Sequence, residues 1–158
     1  MIPSDFSVEP ASWVEDLAEL RRIREQVFII GQDVPAEAEW DDVDARALHV
    51  LARDADGQPI GTGRLTPQHS IGRVAVLAAW RGRGVGEALM RVLLESARER
   101  SIARVELHSQ VHALAFYERL GFVASGEEYL ECGIAHRTMA ITLAPPERPS
   151  PVAAAVVD

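Results

Sequence analysis

Apolar and polar positions along this chain switch between two periods, and the switches mark its elements. Leu17, Leu20, Ile23, Arg24 and Val27 recur at helical spacing, which predicts an amphipathic helix over residues 13–30. Ser12 followed by Glu15 has the form of a capping box that would start it, and Gly31 would end it. Leu48–Arg53 and Pro59–Leu65 flank the turn-forming Asp54-Ala55-Asp56-Gly57, a hairpin signal. Ile71–Leu77, built around Val74-Ala75-Val76, reads as a buried strand. Val85, Ala88, Leu89, Val92, Leu93 and Ser96-Ala97 then mark one face of a helix reaching about Arg100. Ala103–Ser109 is a further strand, and Ala113–Leu120 a short helix stopped by Gly121 at the position that favours a left-handed residue. Phe122–Leu130 and Arg137–Leu143 form a last antiparallel pair joined around Gly133, and a short strand is expected around Phe6–Val8. The pattern predicts a mixed α/β (α+β) fold with strands from both ends of the chain, and it contains no internal repeat.

Two stretches carry no such period. The segment from Asp33 to Asp44 holds Glu37, Glu39, Asp41, Asp42 and Asp44, most simply a solvated loop, with the rim of an amine-binding mouth as the alternative. The final APPERPSPVAAAVVD reads as an extended or disordered tail, leaving residues 1–143 as one domain and 144–158 outside it. A chain of 158 residues suits a single hydrophobic core. No apolar run is long enough to span a bilayer, and MIPSDFSVEP has no basic start leading into an apolar stretch, so a cytoplasmic location is expected. The net charge of −8 disfavours nucleic acid as a partner and mildly favours a cationic substrate. Cys132 is the single cysteine, so neither an internal disulfide nor a cysteine-based zinc site is open to the chain.

The chemistry concentrates where a strand runs into Arg81-Gly82-Arg83-Gly84-Val85-Gly86 and then a helix. Glycines allow positive φ and let the backbone approach an anion closely. The first N–H groups of a helix have no internal partner and sit at the positive end of its dipole, so the turn is a phosphate cradle to which Arg81 and Arg83 add charge. A dinucleotide fingerprint counted from Gly82 and Gly84 would need glycine where Glu87 stands, and a P-loop would need a lysine that is missing. A bare strand-to-helix turn with two solvent-facing arginines is the competing reading.

Arg81-x-x-Gly84-x-Gly86 after an apolar strand resembles the R/Q-x-x-G-x-G/A motif of the GNAT acetyltransferases. Gln110-Val111-His112-Ala113-Leu114-Ala115-Phe116-Tyr117-Glu118-Arg119-Leu120-Gly121-Phe122 is similar to that family's second segment, N-x-x-A-x-x-[LF]-Y-x-x-x-G-F, with Gln110 where asparagine is more common. Arg24-x-x-Val27-Phe28 before Gln32, Asp41, Asp44, His49, Gly126-Glu127-x-Tyr129 and Gly133-Ile134-Ala135-His136 resemble its ElaA-like branch, in which glutamate commonly stands at the place of Gly31. The resemblance runs over roughly residues 12–143.

It implies a mostly antiparallel sheet, flanked by helices, whose two central strands splay apart, and direct transfer of an acetyl group from acetyl-CoA to an amine. CoA would be held by Val74, Ala75 and Val76, by Arg81, Gly82, Arg83, Gly84, Val85 and Gly86, and by Gln110 and Phe116. A backbone N–H near Val76 or Leu77 would polarise the thioester carbonyl. Tyr117 would be the acid that protonates the leaving thiolate, since an unperturbed phenol stays protonated at neutral pH. Core packing is the competing role for Tyr117. Direct transfer leaves Cys132 without a nucleophilic role. The base stays open among Glu106, His108, Glu127, Glu128, His136 and His49. No metal is expected: His108 and His112 have the spacing of two ligands, but they straddle a strand end and lack the glutamate of H-E-x-x-H. A non-catalytic acyl-CoA-binding module and a nucleotide-binding oxidoreductase are the rival functions. A homodimer is the assembly that the superfamily resemblance allows.

Overall fold

The computed structural model describes residues 5–35 and 40–144, so the predicted tail, together with Glu37 and Glu39 of the acidic segment, lies outside the described residues. Strands β1 (Phe6–Ala11), β2 (Leu48–Asp54), β3 (Pro59–Leu65) and β4 (Ile71–Val76) form an antiparallel sheet in sequence order. Strands β5 (Arg104–Gln110), β6 (Val123–Glu131) and β7 (Ile134–Thr142) form a second one, with β7 in its centre. The expected sheet with splayed central strands takes the form of two antiparallel sheets. They touch at one parallel bridge, Ser70 with Glu106, where Glu106 N–H donates to the His69 carbonyl at 3.1 Å. Beyond that point β4 and β5 diverge.

The divergence has a local cause. Thr62 pairs with Ala75 and Arg64 with Gly72, so Gly63 alone faces both Arg73 and Val74. The extra residue is a bulge, and Arg73 takes a left-handed φ of +53° to make it. A bulge bends its strand and increases the twist, which carries the end of β4 away from β5.

Helix α2 (Val85–Glu99) buries Val85, Leu89, Met90, Leu93 and Ala97 against the sheets. Each large apolar side chain buried there contributes about 1.5–3 kcal/mol. Its approach to β3 is close because that strand presents glycine beneath it. A Cβ on Gly61 would stand 3.1 Å from Leu89 Cδ1, and one on Gly63 3.0 Å from Leu93 Cδ1. The first turn of α2 is thereby seated over the end of β4. Helix α3 (Leu114–Arg119) follows β5 through one 3-10 turn and ends, as predicted, before Gly121 at φ +106°.

The first helix departs from the predicted 13–30. α1 spans Leu17–Arg24 and continues as a π-helix over Glu25–Ile30. Ser12 Oγ does accept from Glu15 N–H at 3.1 Å, but Ser12 N–H is returned to Asp16 Oδ2 at 2.9 Å, so the reciprocal cap closes one residue later than predicted. The run Val27-Phe28-Ile29-Ile30 is apolar throughout and offers no polar position to fix a 3.6-residue phase. Wider π turns recur at functional sites, and here Val27, Phe28 and Gln32 line the cleft described next.

Candidate active site

The splay between β4 and β5 opens a cleft of about 1170 Å3. One wall is β4 and the turn into α2. Leu77 N–H donates to the Ile60 carbonyl at 2.9 Å, and the alternation of an antiparallel ladder turns the N–H and C=O of Val76 the other way, into the gap. Of the two predicted carbonyl-polarising donors, Leu77 is therefore spent and Val76 is free to act.

Below it, Arg81, Gly82, Gly84, Val85 and Gly86 line the cleft. Gly84 precedes the helix with φ +87°, and a Cβ added there would meet no protein atom within 4 Å. The backbone has the conformation, and the open space, that an anion at a helix N-terminus requires. The two arginines behave differently from the expectation of mobile charges. Arg81 Nε donates to the Val76 carbonyl at 3.1 Å. Arg83 is absent from the cleft lining, lies 4.0 Å over the Trp80 ring and pairs with Asp5 at 3.0 Å. The cradle is a backbone feature.

Phe116 and Tyr117 line the same cleft from α3. Phe116 lies against Gly86, 3.4 Å from where a Cβ would stand, so it packs the cradle. Tyr117 stands edge-on to Phe116 and Phe122, and burial pushes its phenol up to about 12. It is partly buried and cleft-lining at once, so packing and chemistry do not exclude each other.

The other wall is made of side chains. Gln110 Nε2 donates to Gln32 Oε1 at 2.9 Å, and Gln32 Nε2 returns a bond at 3.3 Å, a reciprocal amide pair tying the end of β5 to the π-helix. His112 Nε2 donates to Gln110 Oε1 at 2.6 Å. Next to Gln110, His136 of β7 and Tyr129 of β6 share one face of the second sheet. Tyr129 stacks on His136 (6.0 Å, 23°) and meets His108 edge-on (5.7 Å). Its hydroxyl is buried near Thr138 without a hydrogen bond of good geometry. Glu131, which the sequence reading passed over, lies 3.6 Å from both His108 Nδ1 and His136 Nε2. Cys132, which direct transfer would leave without a nucleophilic role, also lines the cleft.

The remaining base candidates are elsewhere. Glu106 is at the pinched end, paired with Arg104 at 2.7 Å. Glu127 and Glu128 are exposed on β6 and outside the cleft lining. His49 is buried beneath Trp13 with Nε2 donating to the Asp44 carbonyl at 2.8 Å, and desolvation lowers its pKa. Among the described residues no three His, Cys, Asp or Glu side chains form a metal-binding group.

The acidic segment is not a solvated loop at Asp41 and Asp44. Asp44 is 1% exposed, and its Oδ1 accepts from both Arg24 and Arg64 at 2.7 Å. Arg64 also grips Asp41 through two bonds of 2.8 and 2.9 Å, which hold that carboxyl down at about 2. Arg24 lies 4.6 Å over Trp40 and 5.7 Å over Trp13. This cluster fastens the segment to α1 and β3, and Asp41, Arg64 and Arg73 reach the cleft from it.

An open β4 edge that leads into a glycine cradle, facing a tyrosine on the following helix, is the arrangement the motifs implied. The profile of the acetyltransferase (GNAT) domain matches residues 19–143. This chain belongs to the GNAT acetyltransferase family. It is 34% identical over 129 residues to YjcF, an uncharacterized N-acetyltransferase of Bacillus subtilis, covering 79% of this chain and 91% of that protein. Its fold is similar to that of Escherichia coli ElaA, with a TM-score of 0.77 and 29% identity over 86% of this chain and 99% of the other. An acyl-CoA N-acyltransferase of Pseudomonas aeruginosa is equally similar in fold (TM-score 0.77), at 32% identity over 86% and 99% of the two chains. The GNAT member described here is an acyltransferase enzyme. No helix among its described residues is long and apolar enough to cross a membrane.

Proposed function

We propose that this acyltransferase moves the acetyl group of acetyl-CoA directly onto a primary amine, with residues up to 143 as the catalytic domain. The observation that carries the reading is the cleft wall in which the Val76 N–H turns into the gap, with the left-handed Gly84 at the start of α2 on the same wall. An extended amide-bearing arm suits the first and a pyrophosphate the second. The Val76 N–H is the donor for the carbonyl oxygen as charge develops on it. Tyr117, kept protonated by its burial, is the acid for the sulfur. A donor thioester held this way presents its carbonyl to the second wall, where the acceptor binds.

Calorimetry tests the donor half: CoA should bind and be displaced by acetyl-CoA but not by NAD. Displacement by NAD alone would overturn the assignment. The acceptor half is tested by thiol release from acetyl-CoA across a panel of alkylamines, amino acids and lysine peptides. Release that no amine accelerates would overturn it.

A further inference from the structure

An alkylamine at neutral pH is an ammonium ion and has to lose a proton before it can attack a thioester. We propose that Glu131 anchors that ammonium and that Nε2 of His136 takes its proton; the proposal rests on the N-acetyltransferase reading above.

The tautomer of His136 follows from its partners. Nδ1 lies 2.7 Å from the Ile134 carbonyl, which can only accept, so Nδ1 carries the hydrogen. In the neutral ring Nε2 then holds a lone pair, and that lone pair faces Glu131 Oε2 at 3.6 Å. Two acceptors at this separation cannot bond to each other, and 3.6 Å is too long for a direct hydrogen bond even with a proton between them. The pair is complete when a group with two N–H donors enters. A primary ammonium has three. It can donate to Nε2 and to Oε2 together while its alkyl chain points along the cleft. On the other carboxylate oxygen, Oε1, His108 Nδ1 stands at the same 3.6 Å, so Glu131 is bracketed by two rings. Tyr129 holds their orientation by stacking on one and meeting the other edge-on.

Burial and supply favour His136 over His108 as the base. His136 is 8% exposed in its side chain and its Nδ1–H is fixed, whereas His108 is 50% exposed. A base aimed by one hydrogen bond, with a carboxylate to stabilise the imidazolium it becomes, is the orientation that proton abstraction needs. The groups facing His136 are Glu131 and Tyr129 from β6, His108 and Gln110 from β5, and Cys132 from the turn.

The step balances as follows. R–NH3+ gives one proton to His136 Nε2, and the freed nitrogen lone pair forms the C–N bond at the thioester carbonyl. The C–S bond breaks and the thiolate takes the Tyr117 proton. The nitrogen of the adduct returns its surplus proton to the phenolate through water, leaving the amide, the thiol and one proton on His136 for release to solvent.

Two measurements decide it. In the first, protein labelled with 15N-histidine is titrated with n-propylammonium as the probe. The His136 ring should be in the Nδ1–H form, and its Nε2 resonance should shift saturably in wild type and not in Glu131→Gln. No shift, or the same shift in the variant, overturns the site. In the second, kcat/KM is followed against pH with the best amine from the thiol-release panel. His136→Asn should lower it roughly 100-fold at neutral pH and remove the plateau, so that the rate keeps rising with the free-amine fraction. CoA affinity should stay at the wild-type value. Glu131→Gln, a change at a half-exposed site, should give the same loss of plateau if His136→Asn fails to fold. Retention of the wild-type pH profile in both variants, with transfer intact, overturns the inference and leaves the acetyltransferase reading standing. Loss of CoA binding in wild type overturns that reading instead, and the 15N titration still judges the site.

Discussion

The two walls of the cleft are built on opposite principles. The β4 wall works through backbone: a bulge at Arg73, the peptide groups of Val76 turned into the gap, and a left-handed glycine at the helix start. Arg83 is turned away to Asp5 and Trp80, and Arg81 donates to the Val76 carbonyl of the wall itself. The β5–β7–β6 wall works through side chains delivered by separate segments: Gln32 from just after the π-helix, His108 and Gln110 from β5, Glu131 and His136 from β6 and β7. On the proposed reading the backbone wall is the donor half, a shape common to every donor thioester, and the side-chain wall is the acceptor half, which can change its acceptor with a few substitutions.

That contrast can be broken at its sharpest point by Tyr117→Phe, which removes the side-chain acid proposed for the donor half. Turnover should fall by about 100-fold or more, the range for general acid catalysis, with CoA affinity retained in calorimetry. Unchanged turnover would take Tyr117 out of the mechanism. Asp44→Ala probes how the acidic segment is fastened to α1 and β3. It removes the buried carboxylate that Arg24 and Arg64 share, and hydrogen bonds to a charged group are worth about 1.5–3 kcal/mol. Urea denaturation reads this directly, and a loss well under 1 kcal/mol would mean that the segment is held by other contacts. The smallest effect is the most discriminating. Gly84→Val strains the turn at φ +87° and fills the open space proposed for the pyrophosphate, so CoA affinity should fall about tenfold or more. Arg83→Gln, which removes an exposed ion pair and a contact with Trp80 outside the cleft lining, should shift the same affinity about threefold or less. The reverse order of these two would show that charge, not backbone, holds the donor.

The same contrast governs what was legible in the sequence. The proposed donor half lies in two continuous motifs, so Gly82 to Gly86 could be read as an anion-binding turn and Tyr117 was implied by the family resemblance, both on elements whose ends moved by only a residue or two. Its bulge could not, because nothing in Ile71–Val76 marks Arg73 for a positive φ. The acceptor half is spread over more than a hundred residues and converges only through strand register. His108 and His136 were visible as titratable residues, yet their common partner was not: β6 was expected to stop at Leu130, one residue short of Glu131. Arg24 sat on the apolar stripe of the first helix, and that was the signal of a buried ion pair. Its partner Asp44 looked like one more loop acid until Arg64 arrived from β3. The π-helix left no trace beyond an apolar run without phase.

The bridge between Ser70 and Glu106 has a consequence for how the molecule comes together. Each sheet is written in one uninterrupted stretch, residues 6–76 and 104–142, and this bridge is the one strand-to-strand link between them among the described residues. Every other strand pair closes inside its own stretch, so neither half waits for distant chain to arrive before zipping. A nick between Ser101 and Arg104 would sever no sheet. The catalytic gap is thus a seam between two assembly units, with α2 as the strap across it, and it is completed only when those units dock.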